Sequence, residues 1–158
     1  MVTKAKITGI GSYLPQSIIS NDELSKTMDT SDEWIVQRSG IRMRHQAAEG
    51  EFTSDLGVQA AQKALQHAGL TIEQIDLIVV ATTTPDLTFP ATAALIQKKL
   101  GMTHGAAFDV QAVCSGFVYG LSVTSAMIEC GQAKNALLIG AETMTRLLNW
   151  QDRTTAVL

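Results

Sequence analysis

From Val110 to Ile128 the chain carries no Asp, Glu, Lys or Arg. A stretch of that length without charge belongs either in a bilayer or in a protein interior. Gln111, Ser115, Tyr119, Ser122, Thr124, Ser125 and two glycines interrupt it, which favours a buried core helix over a membrane span. The stretch is headed by Phe108-Asp109-Val110-Gln111-Ala112-Val113-Cys114-Ser115-Gly116-Phe117. This reads as a buried strand or extended turn that presents Cys114, followed by a buried helix beginning near Ser115. A cysteine at a helix start lies near the positive end of the helix dipole, which favours thiolate over thiol. Gly116 lets other backbone, or a ligand, come close. A cysteine so placed suits attack on a carbonyl. The competing explanation is inert packing, since free cysteine is among the most buried residue types.

The segments around this stretch alternate in type. Ile7 to Pro15 reads as a strand breaking into a turn. Its Gly9-Ile10-Gly11 lacks the third glycine that opens a dinucleotide-binding helix, so a nucleotide-binding reading fails there. Asn21 is the expected cap of one short helix, and Ser31 of a second. Thr53-Ser54-Asp55 caps an amphipathic helix with Leu56, Ala60, Ala61, Ala64, Leu65 and Ala68 as its apolar stripe and Gly69 as its stop. His67 reads as a surface residue in its last turn. Ile75 to Thr82 is a near-continuous β-branched run, the signature of a strand covered on both faces. A loop with two prolines follows, exposing Phe89, and then a helix from Ala91 to Leu100 closed by Gly101. Ala106 to Val110 is the strand before Cys114. Gly131 ends the uncharged helix, and Asn135 to Ala141 is another covered strand. Glu142 to Arg153 is a polar connection, and Thr154 to Leu158 begins a further strand. Helices alternating with covered strands indicate a layered α/β fold.

The totals narrow the function. With 158 residues the chain can form one compact domain with a real core. The charged fraction is 17%, below the usual quarter, so much of the surface is expected to be covered by a second copy or by more of the same protein. A net charge of −3 with no basic cluster argues against nucleic acid. If one helix joins Cys114 to Cys130 they stand about 24 Å apart, too far for a disulfide, which needs Cα atoms within ~7 Å. Unpaired cysteines and an N-terminus without an apolar leader core point to the cytoplasm. His45, His67 and His104 sit in no context that supplies a base for a Cys–His hydrolase or a metal site.

Trp34 and Arg38 are four residues apart and share a helix face. An aromatic plane beside a guanidinium suits stacking on a flat ring and pairing with phosphate, or simply an Arg packed over Trp at a surface.

Several blocks, in order, carry a resemblance. They are Gly9-Ile10-Gly11-Ser12-Tyr13-Leu14-Pro15, Thr30-Ser31-Asp32-Glu33-Trp34-Ile35, Arg38-Ser39-Gly40-Ile41-Arg42, Leu77-Ile78-Val79-Val80-Ala81-Thr82-Thr83, and Phe108-Asp109-Val110 leading to Cys114-Ser115-Gly116-Phe117. Together they resemble the N-terminal half of the β-ketoacyl-acyl carrier protein synthase III family of condensing enzymes. The resemblance implies a thiolase-like layered α/β fold of two similar halves, of which residues 1–158 would be the first, cut before the second. It implies a homodimer that takes an acyl group from acyl-CoA onto Cys114. The acyl-enzyme then condenses with malonyl-acyl carrier protein, with coenzyme A thioester as substrate and no cofactor or metal. On the same ground Trp34 and Arg153 look like the pair that sandwiches the adenine of coenzyme A, with Thr30 and Arg38 as further contacts to its nucleotide end. Met144 and Phe89 fall where the family lines its acyl pocket, Phe89 reaching in from the partner subunit. The family's His and Asn lie in the second half, so the fragment alone is expected to be inactive. Gln111, Val113 and Ser115 depart from the small residues usual around the cysteine. Two other readings remain: a non-catalytic fragment that binds coenzyme A or dimerises, and a starter enzyme of secondary metabolism with the same fold.

Overall fold

The computed structural model describes residues 4–158. The reading of the N-terminus over Met1, Val2 and Thr3 lies outside them. Along the chain the elements are β1 (Ser17–Ser20), α1 (Asn21–Leu24), α2 (Asp32–Ser39), β2 (Met43–Gln46), α3 (Thr53–Ala68), β3 (Leu77–Ala81), α4 (Thr92–Leu100), β4 (Ala106–Val110), α5 (Gly116–Glu129) and β5 (Ala136–Gly140). Where composition suggests one domain, two compact units share the chain. The first takes in the described residues up to Tyr13 together with Phe52–Glu142, and the second is Leu14–Glu51 with Thr143–Leu158.

The first unit is built on β3. Its neighbours β4 and β5 both run parallel to it, with Leu77 opposite Ala106 and Ala136, and Ala81 opposite Val110 and Gly140. All five β3 residues are buried, as the β-branched run predicts. Ile78 and Val80 join Val58, Ala61, Leu65, Ala93 and Ile96 of α3 and α4 in one core. Leu77 and Val79 join Met127 and Ile128 of α5, with Phe108 and Leu138, in another. Strand alternation thus divides one short sequence between two layers. Each of the fully buried β3 side chains Leu77, Ile78, Val79 and Val80 contributes about 1.5–3 kcal/mol of transfer free energy.

Helix stops behave as expected. Gly69 and Gly101 adopt the left-handed conformation with φ of 66° and 77°, where residues bearing a Cβ are disfavoured. The first turn of α3 differs from expectation. Thr53 and Ser54 are buried inside it, and the Asp55 carboxylate accepts the Phe52 N–H at 2.9 Å.

Three expectations for this unit are corrected. Ile7 to Pro15 forms no strand: the described residues up to Tyr13 lie extended along α3 instead. A Cβ at Gly9 would collide with the Ala64 carbonyl oxygen, and one at Gly11 with that of Ala60. The Gly-x-Gly therefore serves backbone-to-helix packing. His67, exposed as expected, accepts the Ile10 N–H at 3.1 Å and so ties that segment down. The uncharged helix α5 is not buried: only Gly116, Gly120 and Thr124 are, while Val118 is 63% exposed. A lone helix touches a sheet along one stripe, here of small residues at four-residue spacing, and its other apolar faces turn outward. Strand β5 is covered mainly through Leu137 and Ile139, and Gly140 is exposed.

The second unit pairs β1 with β2 antiparallel, a ribbon the sequence reading did not anticipate. Its strands are four residues long and largely polar, so periodicity has nothing to register. Ser20, not Asn21, caps α1: its hydroxyl accepts the Glu23 N–H at 3.2 Å, and the Glu23 carboxylate takes the Ser20 N–H at 2.7 Å. Asn21 is buried instead. Its amide donates to Asp32 Oδ1 at 2.8 Å and to the Ile41 carbonyl at 2.7 Å, and its oxygen accepts from Arg44 at 2.8 Å. Thr154 to Val157 belongs to a 3₁₀ turn, Arg153–Val157, rather than a strand. Asp152 caps that turn through the Thr154 N–H at 2.9 Å, and Ala156 enters the small core of Leu24, Met28 and Ile35. Arg44 holds the turn from below, donating to the Ala156 carbonyl at 2.9 Å. Burial pulls the Arg44 guanidinium below its ordinary range.

Candidate active site

Cys114 occupies a 3₁₀ turn, Val113–Ser115, between the end of β4 and the start of α5, and it is exposed. Both ends of its turn rest on the last residues of β3. The Val110 carbonyl accepts the Thr82 N–H at 3.2 Å. Gly116 lies against Ala81, where an added Cβ would stand 3.3 Å from the Ala81 side chain. The chain must therefore leave β3's neighbourhood and return to it within six residues. Val113 makes the reversal with φ of +48°, among the described residues the one non-glycine with positive φ. For a β-branched residue that conformation is strained, and such strain persists where surrounding contacts impose it.

One carboxylate bonds all three residues of the Thr82–Thr84 segment that continues β3. Glu142 accepts the Thr83 N–H at 2.8 Å, the Thr84 hydroxyl at 2.5 Å and the Thr82 hydroxyl at 3.4 Å. The Thr83 hydroxyl is buried without a hydrogen-bond partner among the described residues. Sequence reasoning placed Glu142 in a polar connection and missed this role. The signal it passed over is an acid directly after one covered strand and three threonines directly after another.

A second polar group in the same unit resembles catalytic chemistry but is closed to it. Lys99 Nζ stands 2.6 Å from the Ser54 hydroxyl, the pairing of a Ser–Lys nucleophile. Ser54 is fully buried and donates to Asp86 at 2.5 Å, so no substrate reaches it. The Asp55 carboxyl beside Lys99 is opposed by burial, which raises its pKa, yet the Lys99 ammonium and the Phe52 N–H bring it below the ordinary value.

The second unit carries an aromatic and cationic cluster. Ser31 caps α2 as expected, accepting the Trp34 N–H at 3.1 Å, and Gly40 ends the helix. The Arg38 guanidinium carbon lies 4.2 Å from the centre of the Trp34 ring, and that of Arg153 lies 4.4 Å from it. Arg153 also faces Asp29 at 3.6 Å. Three of the four residues expected around a nucleotide are thus together around one indole. Thr30 precedes the helix, and its hydroxyl is buried without a partner among the described residues, as is Arg153 Nε. Buried donors left unpaired are costly, and they are what a polar ligand would satisfy. Arg153 sits one stacking distance from Trp34, so a flat ring between them requires the guanidinium to withdraw.

The remaining expected residues are less engaged. Phe89 is 83% exposed. Met144 opens a 3₁₀ turn, Met144–Arg146, and is half-buried. His45 Nδ1 lies 2.6 Å from the Pro15 carbonyl. Among the described residues no group of three His, Cys, Asp or Glu side chains could hold a metal, and no helix is long and apolar enough to cross a membrane. Both cysteines are free.

Comparison with known proteins places these features in a family. Residues 108–158, which include Cys114, Met144 and Arg153, match the family model described as 3-oxoacyl-[acyl-carrier-protein] synthase III. The whole chain is 60% identical to the β-ketoacyl-[acyl-carrier-protein] synthase III of Paramagnetospirillum magneticum, covering 49% of that protein. It is 60% identical over 155 residues to the same-named protein of Neisseria meningitidis, covering 98% of this chain and 48% of the relative. The chain therefore spans about half the length of the curated relatives it matches. Among solved structures, the 3-oxoacyl-[acyl-carrier-protein] synthase III of Aquifex aeolicus superposes with a TM-score of 0.93 at 47% identity, over 97% of this chain and 49% of that one. The priming β-ketosynthase of the R1128 polyketide pathway superposes with a TM-score of 0.93 at 36% identity, over 97% of this chain and 46% of that one. The fold is thiolase-like.

Proposed function

The chain belongs to the 3-oxoacyl-[acyl-carrier-protein] synthase III family, and we propose that it supplies the nucleophile and the coenzyme A contacts of an enzyme that opens fatty acid biosynthesis. Cys114 attacks the carbonyl of a short acyl-CoA. The C–S bond to coenzyme A breaks, the coenzyme A thiol departs with a proton, and the acyl group stays on the cysteine sulfur. Malonyl-acyl carrier protein then loses CO2, and the carbanion left behind attacks the acyl-Cys114 carbonyl. A carbon–carbon bond forms, the sulfur leaves, and 3-oxoacyl-acyl carrier protein is released. The Cys114 N–H would donate to the oxyanion that forms in both attacks. Trp34, Arg38 and Arg153, with Thr30, would hold the nucleotide end of coenzyme A, and Phe89 and Met144 would border the acyl group.

The observation that carries this reading is the exposed Cys114 on a strained turn between strand and helix. Exposure separates it from an inert core thiol. The charged fraction of 17% and the bare Phe89 support a homodimer, and the two free thiols support the cytoplasm. No cofactor is required. A narrower reading fits the chain by itself. His45 and His67 are engaged in local ties and His104 stands in no catalytic motif, so the chain alone would bind coenzyme A or a second copy without turnover, the condensing partners coming from elsewhere in the protein.

The test is transfer of radiolabelled acetyl from acetyl-CoA to the complete protein. The label is expected on Cys114, absent after Cys114→Ala and taken up with a higher KM after Trp34→Ala. Equal labelling of the Cys114→Ala protein would sink the proposal.

A further inference from the structure

The two ends of the Cys114 turn both meet the end of β3. Val110 before the turn is bonded to Thr82, and Gly116 after it packs on Ala81. Ala81 is itself fixed laterally, since its carbonyl accepts the Ala141 N–H at 3.2 Å. Beyond Ala81 the pairing ends with the Thr82 N–H bond to the Val110 carbonyl. The Glu142 carboxylate takes the ladder's place, bonding the Thr83 N–H and the hydroxyls of Thr84 and Thr82. Within that segment the Thr84 N–H also donates to the Thr82 hydroxyl at 3.1 Å, and the Thr84 carbonyl accepts the Thr53 hydroxyl at 2.6 Å.

The geometry points to Glu142 as a positioning residue for Cys114. It joins the end of β5 to the continuation of β3 and thereby fixes the two footholds, Ala81 and Thr82, between which the strained turn is stretched. Glu142 touches neither the sulfur nor the acyl group. Its role is exercised through Thr82, Thr83 and Thr84. A left-handed Val113 is held only as long as both footholds stay in place, because relaxation of either lets φ return to negative values. Charge is not the essential property. An amide at this position still offers an acceptor to the Thr83 N–H, and the threonine hydroxyls can rotate to accept from its NH2.

This inference rests on Cys114 being the acylated nucleophile. It is tested in the complete protein by single-turnover acylation from acetyl-CoA, measured beside the dissociation constant for coenzyme A. Glu142→Ala is expected to slow acylation about 10-fold, the scale on which small misplacements of a reacting atom act, with coenzyme A affinity unchanged. Glu142→Gln is expected to restore most of the rate. Thr84→Val, a smaller perturbation, serves if the alanine variant does not fold, and is expected to slow acylation about 3-fold. Acylation at the native rate in Glu142→Ala or Thr84→Val would overturn the inference. So would a parallel loss of acylation and coenzyme A affinity, which marks a general structural defect. A native protein that takes up no acyl group at all would instead overturn the proposed function, and the inference with it.

Discussion

In the first unit the largest fully buried side chains include Ile75, Leu77, Ile78, Val79, Val80 and Ile96. In the second, the apolar core amounts to Leu24, Met28, Ile35 and Ala156, and beside it lie the buried Asn21 and Arg44. The first unit is held by non-directional burial, which tolerates imprecision in any single contact. The second is held by directed bonds among Asn21, Asp32, Ile41, Arg44 and Ala156. Directed bonds set positions tightly, but each fails when one partner is removed. The two candidate groups follow the same division. Cys114 stands on a rigid sheet end, whereas Trp34 and its two guanidiniums stand on a short helix whose base is this polar network.

That contrast can be attacked from either side. The largest effect is expected from Ile78→Ala, which opens a cavity on the central strand and costs about 2–5 kcal/mol of stability. Denaturant titration followed by amide exchange should show the loss concentrated in β3, β4 and β5. Equal loss of protection in α2 would mean that the two units unfold as one body. Asn21→Ala is expected to cost about 1–3 kcal/mol, since it leaves the buried Arg44 guanidinium one acceptor short. Exchange should quicken in β1, β2 and α2 while β3 is unmoved. A change below the error of the measurement would deny the network its role.

The smallest effect concerns a polar tie at the other end of the apolar unit's sheet, at the start of β3 and β5. The Asp76 carboxylate accepts the N–H groups of Asn135 and Lys134 at 3.1 and 2.9 Å, and these bonds hold its pKa below the ordinary 3.8. The unfolded chain therefore binds the proton more tightly than the folded one. The stabilisation is complete above 3.8 and is lost as pH falls through the lower folded value. Stability profiles of the native protein and of Asp76→Asn, followed from about pH 6 to about pH 2, should converge at the acid end. Parallel profiles across that range would remove Asp76 from the account.

The same contrast explains what could be read from the residues alone. The layered unit is written in periodicity: the run at Ile75 to Thr82, the helix stops at Gly69 and Gly101, and the strand at Ala106 to Val110 all appear where burial demands them. The second unit is written in single polar contacts that have no period. Nothing about Asn21 separates a helix cap from a buried bridge, and nothing about Arg44 tells that it lies beneath Ala156. The strained Val113 is invisible for another reason. Valine disfavours a positive φ, so its local preference points away from the conformation that the two footholds impose. The position of Cys114 was legible because composition changes abruptly there. Its dependence on Glu142 was not, because that acid approaches the turn through threonines fixed elsewhere in the chain.

The three-stranded sheet also has margins. β3 is satisfied on both sides, while β4 and β5 each present a flank to which no strand is bonded among the described residues. Recruitment of any additional strand must therefore happen at one of those two flanks, in line with the uncovered apolar surface of α5. An unpaired strand flank is a template for a further strand, and charged substitutions along β4 or β5 are expected to oppose such pairing.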